Sequence, residues 1–412
     1  MNAPPATFRD SHAQPSPDPG RSRANAAGGG LHIYVLVDAL GWTLVQRSGF
    51  LEALLPYRRP LRTILGFSSG AIPTILTGET PARHGHWNLL YLDPDGSPFR
   101  WLRRLDFLPA KLFDHRLGRY ALTQLGRRWM GLGPSFECCV APALLPWFNW
   151  VEKKHLYQAG SVEGMRTVFD HWSAAGLAHR IYSYREGDDD QLLRAARRDL
   201  EQGEVSTQFI YLSQLDHFLH LHRNEPAAIA LQLQHYASKL RELHAVAYER
   251  DSGLRFLVFS DHGMAPVRSR LDLARAIRDR GWKMPKDYLA VYDSTMVRCW
   301  FFNPRAAVDL RNFMGLLNCG RILDDEELRR AGVWFADRRF GELIFLLNPG
   351  VMVAQGDFNG AGWNPSGMHG YHPDDPDSDA AVMGNDPEIL QLEDIRHLYK
   401  RLCEPLRARM VA

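Results

Sequence analysis

Residues 254–264 read Leu-Arg-Phe-Leu-Val-Phe-Ser-Asp-His-Gly-Met, a short apolar run that ends in two adjacent residues of metal-ligand type. The run is rich in β-forming residues and too short for a stable helix, so it predicts a buried strand of a parallel sheet. The residues after Phe259 break the strand. Because ligands collect beyond the carboxyl ends of strands in open α/β sheets, Asp261 and His262 are candidate site residues.

Two other apolar runs end in the same way. Residues 31–37 precede Asp38, and residues 208–215 precede Asp216. Strands that alternate with helical patterns predict an α/β fold, a doubly wound and mainly parallel sheet with helices on both faces. One aspartate after a strand is more typical of a turn, but three aspartates close to histidines favour a metal site at one edge of the sheet.

Histidines accompany these aspartates. His220 lies four residues after Asp216, and on a helix the two side chains would face the same side and could share an ion. His369 stands in a glycine-rich segment, residues 366–372, which suits a ligand presented on a tight loop. A lone histidine is more often structural or solvated, so only the combination with the aspartates indicates a site.

Residues 62–78 combine a short β-like run, Ser68 and Ser69, and a stretch of small residues typical of a helix. The serines would lie at the helix N-terminus, where free backbone N–H groups and the helix dipole favour a phosphate or another oxyanion. A serine N-cap without any ligand is the alternative for this segment taken alone.

The length of 412 residues predicts one catalytic body with insertions, since α/β folds often reach this size. We expect a disordered tail (1–30), a catalytic core (31–264), a cap insertion (265–365) and a return to the core (366–412). A formal net charge of +2 does not indicate a nucleic-acid partner.

The termini and the cysteines indicate a cytoplasmic protein. The first thirty residues lack the apolar segment of a signal peptide, and no stretch is long enough to span a bilayer. The five cysteines are odd in number and lack CxxC spacing, so they predict neither a disulfide framework nor a thiolate metal site.

Residues 98–156 have a different composition. Between Arg100 and Arg128 there are eight Lys or Arg against two Asp, interleaved with aromatic residues. A pair of helices with a solvated basic face and buried aromatics is the simpler interpretation. The alternatives are a wall of the active site, or a peripheral membrane contact through residues 100–150 that could also grip a lipid-like substrate.

In order and local context the chain resembles the alkaline phosphatase superfamily, and most closely its nucleotide pyrophosphatase/phosphodiesterase branch. The resemblance covers about residues 31–94, 205–265 and 366–405. The residues that carry it are Asp38 after the first strand, Ser68 at the nucleophile position, Asp216 with His220, Asp261 with His262, and His369. The segment from Ser68 through Thr77, Gly78, Pro81 and His84 follows the family's nucleophile segment, which selects Ser68 over Ser69.

The resemblance implies a metal-dependent hydrolase that cleaves a phosphodiester or pyrophosphate bond through a covalent phosphoseryl intermediate. It implies two divalent ions, with zinc as the first choice and manganese as the second. One ion would be held by Asp216, His220 and His369. The other would be held by Asp38, Asp261, His262 and the Ser68 oxygen. The substrate would be a small phosphate ester, for example one linked to a nucleotide or a lipid.

The chain departs from the family pattern at several positions. Ser68 stands where Thr is common, Leu219 where Gly is usual, and His372 where Asp often follows Gly-Tyr. Asn88, the candidate for binding a substrate oxygen, is one residue out of register. Two other functions therefore stay open: a phosphomonoesterase or phosphotransferase that uses the same centre, and a non-catalytic module that binds a membrane or a partner.

Overall fold

The computed structural model describes residues 30–105, 114–132, 136–138, 140–203, 205–357 and 363–411. The predicted tail lies outside these residues except for Gly30, and the basic aromatic segment is described only in part. The helices are α1 (Trp42–Ser48), α2 (Ser68–Thr77), α3 (Pro81–His84), α4 (Arg116–Trp129), α5 (Val168–Ala174), α6 (Asp189–Gln202), α7 (Gln214–His222), α8 (Pro226–Arg250), α9 (Leu273–Arg278), α10 (Pro304–Gly315), α11 (Asp325–Arg330), α12 (Leu398–Leu402) and α13 (Glu404–Val411).

Sixteen strands accompany them in the described residues. They are β1 (His32–Val37), β2 (Tyr57–Leu61), β3 (Leu90–Leu92), β4 (Phe148–Trp150), β5 (His179–Tyr182), β6 (Thr207–Leu212), β7 (Arg255–Phe259), β8 (Ala265–Pro266), β9 (Ser269–Leu271), β10 (Tyr288–Asp293), β11 (Met296–Phe301), β12 (Gly320–Ile322), β13 (Leu343–Leu347), β14 (Val351–Val353), β15 (Gly367–Met368) and β16 (Ala380–Gly384).

The central sheet has the strand order β2-β16-β7-β1-β6-β5. Strands β7, β1, β6 and β5 run parallel to one another, and β16 is antiparallel to both β7 and β2. Side chains of β1 alternate between two apolar cores, with Leu36 in one and Val35 in the other. Helices α2, α5 and α12 cover one face, and α1, α6 and α8 cover the other. This is the predicted α/β fold.

A second sheet, β10-β11-β13-β12, is antiparallel throughout and packs on α9 and α10. It lies within the segment predicted as a cap. The turn between β10 and β11 reaches the core, where the Thr295 hydroxyl donates to the carbonyl oxygen of Gly370 at 2.8 Å. The two sheets are therefore joined close to the loop that carries His369.

The end of β6 differs from the prediction. The strand stops at Leu212 instead of continuing to residue 215, and α7 begins at Gln214. The Asp189 carboxylate accepts the backbone N–H groups of Ser213 and Gln214, each at 3.0 Å, which satisfies two donors at the start of α7. Asp216 consequently lies in the first turn of a helix and not at the tip of a strand.

Candidate metal centre

The carboxyl ends of β1 and β7 bring two aspartates together. Leu36 pairs with Phe259 in the parallel ladder, so Asp38 and Asp261 both follow that pair by two residues. Both residues are buried, at 4% and 0% exposure. His262 follows Asp261, and its Nε2 lies 3.5 Å from Asp38 Oδ1 and 3.3 Å from Asp261 Oδ2.

Helix α7 supplies the second pair. Asp216 and His220 are one turn apart, with His220 Nε2 3.3 Å from Asp216 Oδ2. His220 Nδ1 lies 2.8 Å from the Gly367 carbonyl oxygen, and His262 Nδ1 lies 2.9 Å from the carbonyl oxygen of Gly263. If each Nδ1 carries the proton, both rings present a free Nε2 lone pair, the form that binds a metal ion.

His369 contacts both His262 and Asp216 and so lies between the two sets of side chains. Its ring stacks on that of His262, with the centroids 3.8 Å apart and the planes 12° apart. His369 Nε2 lies 3.6 Å from Asp216 Oδ1. The following residue, Gly370, has φ +89°, and a Cβ there would come within 2.5 Å of the Phe67 ring, so the loop requires glycine at this position.

Two groups of donor atoms are close enough to hold an ion, each with its atoms within 4.8 Å of one another. One is Asp38, Asp261 and His262, and the other is Asp216, His262 and His369. His220 lies beside the second group, in contact with Asp216. Among the described residues, a third acidic group consists of Asp386, Glu388 and Glu404. Arg401 forms ion pairs with all three of these carboxylates, so that group is explained without a metal.

Unpartnered polar atoms show that the first two groups fit cations. Asp38 Oδ1, Asp216 Oδ1 and Asp261 Oδ2 are buried and have no hydrogen-bond partner. Buried carboxylate oxygens without a partner are costly, and a divalent ion with oxygen and nitrogen ligands would satisfy them. The chemistry of the donors and their spacing therefore match the predicted metal centre.

The electrostatics agree with this interpretation. Burial, together with the nearby charges of Asp261 and Asp216, raises the pKa of Asp38 well above its ordinary value. Burial and the neighbouring His262 hold the pKa of His369 well below its ordinary value, which keeps the imidazole neutral. Crowded carboxylates and neutral imidazoles are the state that a cation would stabilise.

Ser68 is the first residue of α2 and faces the centre. Its Oγ lies 2.8 Å from His262 Nε2. Ser69 points elsewhere, since its hydroxyl donates to the Trp87 carbonyl oxygen at 2.9 Å. The geometry therefore separates the two serines, which the sequence could do only through motif register.

Asn88 and Ser68 both line a cavity that opens over the metal centre. Asn88 is buried, its Nδ2 lies 3.6 Å from the Met296 sulfur, and its Oδ1 has no partner. His372, in contrast, turns away from the centre and contacts Glu327 at 3.3 Å and Asp374 at 3.2 Å. The position that departs from the family pattern thus contacts acidic residues outside the centre.

A cavity of about 430 Å³ opens over the metal centre and Ser68. Its aromatic and apolar wall was not predicted. The wall consists of Phe67, Leu156, Tyr157, Tyr184, Tyr211 and Trp363. Glu152, Lys154 and Leu156, from the end of the basic aromatic segment, also line the cavity, which fits the alternative that this segment forms a wall of the site.

Comparison with known proteins identifies the family. The family model described as type I phosphodiesterase/nucleotide pyrophosphatase matches residues 33–372. The chain belongs to this family. It is a phosphoric ester hydrolase, as the resemblance implied. A search of curated proteins found no match to the chain.

Solved structures show the same fold. Murine ectonucleotide pyrophosphatase/phosphodiesterase 5, as an inactive variant in complex with AMP, aligns with a TM-score of 0.64 at 14% identity, covering 92% of this chain and 95% of that one. The human ectonucleotide pyrophosphatase/phosphodiesterase 5 aligns with a TM-score of 0.63 at 12% identity and the same coverage. The fold seen in these solved structures therefore covers nearly the whole of this type I phosphodiesterase family member.

Proposed function

We propose that this protein hydrolyses a phosphodiester or pyrophosphate bond through a covalent intermediate on Ser68, supported by two divalent ions. The observation that carries the proposal is the position of Ser68 Oγ, 2.8 Å from His262 Nε2, because His262 belongs to both groups of candidate ligands. The Ser68 hydroxyl therefore contacts the residue that the two groups of candidate ligands share.

The chain's own residues would hold the ions in two sets. Asp38, Asp261 and His262 would hold one, with the Ser68 oxygen as a further ligand. Asp216, His220 and His369 would hold the other. Bound divalent ions lower the pKa of a coordinated hydroxyl or water and offset the charge of a phosphoryl group. Zinc is our first choice, because the donors are carboxylates and imidazoles without a thiolate, and manganese is the second.

The reaction at Ser68 follows from its surroundings. Ser68 Oγ lies 2.8 Å from His262 Nε2, the nitrogen that would bind the ion. Because a ligating Nε2 cannot also take the Ser68 proton, that proton would pass to water. Attack of Oγ on phosphorus forms a phosphoseryl ester that keeps the other substituent of the substrate, the bond from phosphorus to the leaving alcohol or phosphate breaks, and water then hydrolyses the seryl ester. The free N–H groups at the start of α2, together with the Asn88 amide, can bind the phosphoryl oxygens.

The cavity wall suits a substrate with a flat or apolar group on the phosphate. Tyr157 and Tyr211 stack with their centroids 4.4 Å apart, and Tyr184 meets both rings edge-on. Such rings favour a nucleobase. The binding of AMP by the murine protein of the same fold supports a nucleotide-linked ester as substrate. A lipid-linked ester is the alternative occupant of this wall.

Substitution of the nucleophile tests the proposal. Ser68→Ala should abolish turnover of bis-p-nitrophenyl phosphate while zinc binding survives, and Ser69→Ala, which alters only the bond to Trp87, should retain activity. When a reaction of the wild-type protein with a phosphorus-labelled substrate is quenched with acid, the labelled phosphoryl group should be found attached to Ser68. Equal turnover by Ser68→Ala and wild type would overturn the assignment.

A phosphomonoesterase is the closest rival. Monoesters carry an additional negative charge, which favours an arginine clamp, and the described residues that line the cavity include Lys154 but no arginine. We therefore expect kcat/KM to be higher for bis-p-nitrophenyl phosphate and a nucleoside-monophosphate ester than for p-nitrophenyl phosphate. The reverse order would favour the monoesterase.

We also propose that α4 contacts an anionic membrane surface. Leu117 and Tyr120 are 74% and 63% exposed on its outer face, and Trp129 at its end is 82% exposed. Arg116 and Arg128 are exposed too and form no ion pair with an acidic residue within the described ranges. Exposed aromatics beside unpaired arginines match a membrane interface.

Sedimentation with vesicles tests this contact without substrate or metal. Metal-free protein should bind phosphatidylcholine vesicles that contain phosphatidylglycerol and not vesicles of phosphatidylcholine alone. Replacing Arg116 and Arg128 with Glu should weaken binding by about fivefold or more for each charge removed. Leu231→Ser and Leu316→Ser, which remove exposed leucines elsewhere, serve as controls. Absence of binding would refute the contact, and vesicle binding without any turnover would favour the non-catalytic module.

The cytoplasmic location predicted from the sequence is part of this proposal, and fractionation of the native cells tests it. Within the described residues, no helix combines the length and the hydropathy needed to cross a bilayer.

A further inference from the structure

Tyr211 makes a contact with the metal centre that the proposed mechanism does not use. Its phenol donates a hydrogen bond to Asp38 Oδ2. The two residues come from adjacent parallel strands, because Tyr211 pairs with Leu36 in the ladder of β1 and β6. Asp38 follows Leu36 by two residues, so the phenol reaches along the sheet edge to the carboxylate.

This hydrogen bond distinguishes the two oxygens of Asp38. Oδ2 accepts from Tyr211, whereas Oδ1 is buried without a partner and lies 3.5 Å from His262 Nε2. A carboxylate with one oxygen occupied by a donor presents the other oxygen in a fixed direction. Oδ1 is thereby the atom directed at the position that Asp261 and His262 share.

The phenol is itself held in place. The Tyr211 side chain is 7% exposed, and its ring stacks on Tyr157 with a centroid distance of 4.4 Å and an interplanar angle of 19°. Tyr184 packs against it at 6.2 Å. A donor that is packed on several sides loses little additional freedom when it bonds Asp38, so the contact can fix the carboxylate.

We propose that Tyr211 is a positioning residue that orients Asp38 as a ligand through Oδ1 alone and thereby sets the affinity of one of the two ions. This inference rests on the proposed metal centre. Tyr211 is not a metal ligand, and it acts on the reaction only through Asp38. Hydrogen-bond partners of metal ligands typically contribute about 10- to 100-fold in metal affinity.

Zinc affinity of Tyr211→Phe tests the inference, because the substitution removes the hydroxyl and keeps the ring and its stacking. Competition with a chromophoric chelator should show one zinc ion bound about 10- to 100-fold more weakly and the other unchanged. At limiting zinc the activity should fall, and excess zinc should restore it.

Tyr182→Phe is the matched control. Tyr182 also donates from a buried phenol to a buried carboxylate, that of Asp199 at 2.9 Å, but away from the centre. Both variants should lower the Tm of the metal-free protein, and only Tyr211→Phe should change zinc affinity. If Tyr211→Phe does not fold, Tyr157→Leu provides a second test: it removes the stacking partner, keeps the Tyr211 hydroxyl and should weaken the same ion by a smaller factor.

The outcomes separate this inference from the proposed function. Two zinc ions bound to wild type and unchanged affinities in Tyr211→Phe would overturn the positioning role alone, as would equal losses of affinity in Tyr211→Phe and Tyr182→Phe. Failure of the wild-type protein to bind zinc or manganese would overturn the metal centre and this inference together.

Discussion

His262 contributes to both groups of candidate ligands. Its ring lies within 3.5 Å of Asp38 and Asp261, stacks on His369, and its Nε2 contacts Ser68. The sequence placed His262 with Asp38 and Asp261, but its proximity to the Asp216 group could not be predicted, because that contact depends on how the loop of His369 folds back.

We predict that His262→Ala lowers kcat/KM by more than about 100-fold, since even the hydrogen-bond partners of metal ligands contribute about 10- to 100-fold. His222→Ala is the control, because that ring contacts Glu225 at 3.0 Å on the surface beside α7. Steady-state kinetics with bis-p-nitrophenyl phosphate would measure both. Near-wild-type activity in His262→Ala would contradict its central position.

Asp379 gives a prediction on stability. Burial raises the pKa of its carboxyl to about 6, with Asp375 adding to the shift and Arg62 opposing it. Because the folded state then binds the proton more tightly than the unfolded state, Asp379 lowers the stability increasingly as the pH rises from about 4 to about 6.

Asp379→Asn removes that loss. The variant should exceed wild type in free energy of unfolding by about 1 kcal/mol above pH 6, after allowance for solvent screening, and should equal it near pH 4. Urea titrations at pH 4 and pH 7.5 measure the difference. A variant that is less stable than wild type at pH 7.5 would refute the assignment.

At the scale of helices and strands, the sequence predicted the positions of the strand ends better than it predicted which side chains of different elements pack together. The apolar runs before Asp38 and Asp261 identified the two parallel strands because they are buried on both faces. The start of α7 was missed, since it depends on the distant carboxylate of Asp189. The aromatic wall was missed for a similar reason: Tyr211 occupies an ordinary strand position, and only its packing on Tyr157 reveals the surface.

The loop of His369 gives a prediction at this scale. Gly370→Ala should lower stability by about 1–3 kcal/mol, because φ is +89° and the new Cβ would meet the Phe67 ring at 2.5 Å. Displacement of the loop should also weaken zinc binding through His369. Gly85→Ala has a similar φ of +81° but open space around the Cβ, so it should cost only about 1 kcal/mol and leave zinc binding unchanged.

Thermal unfolding and chelator competition on the two alanine variants measure these effects. Equal stability losses and equal zinc affinities in the two variants would show that contact with Phe67 does not fix the loop.

At the scale of the whole molecule, the second sheet completes the cavity. Asp293 lines the cavity and forms a buried ion pair with Arg298 at 2.5 Å. Arg298 also donates to the carbonyl oxygens of Leu90 and Phe340, at 2.9 and 3.2 Å. One guanidinium thus connects the cavity wall on β10 to β3, a connection that spans more than two hundred residues of sequence.

We predict that Arg298→Leu lowers the free energy of unfolding by about 3–5 kcal/mol, because it leaves Asp293 charged and buried without its partner. Combining it with Asp293→Asn should recover part of that loss, since the amide carries no charge. Urea denaturation of the single and double variants measures this coupling, and simple additivity of the two losses would contradict it.

The central claim is that residues from the ends of β1 and β7, from α7 and from the loop of His369 hold two ions in front of Ser68. A crystal grown with zinc and measured at the zinc absorption edge tests it most directly. We predict two anomalous peaks about 3.5–4 Å apart, one contacting Asp38, Asp261 and His262 and the other contacting Asp216, His220 and His369. An absence of peaks beside Ser68 in crystals that hold zinc elsewhere would contradict the claim.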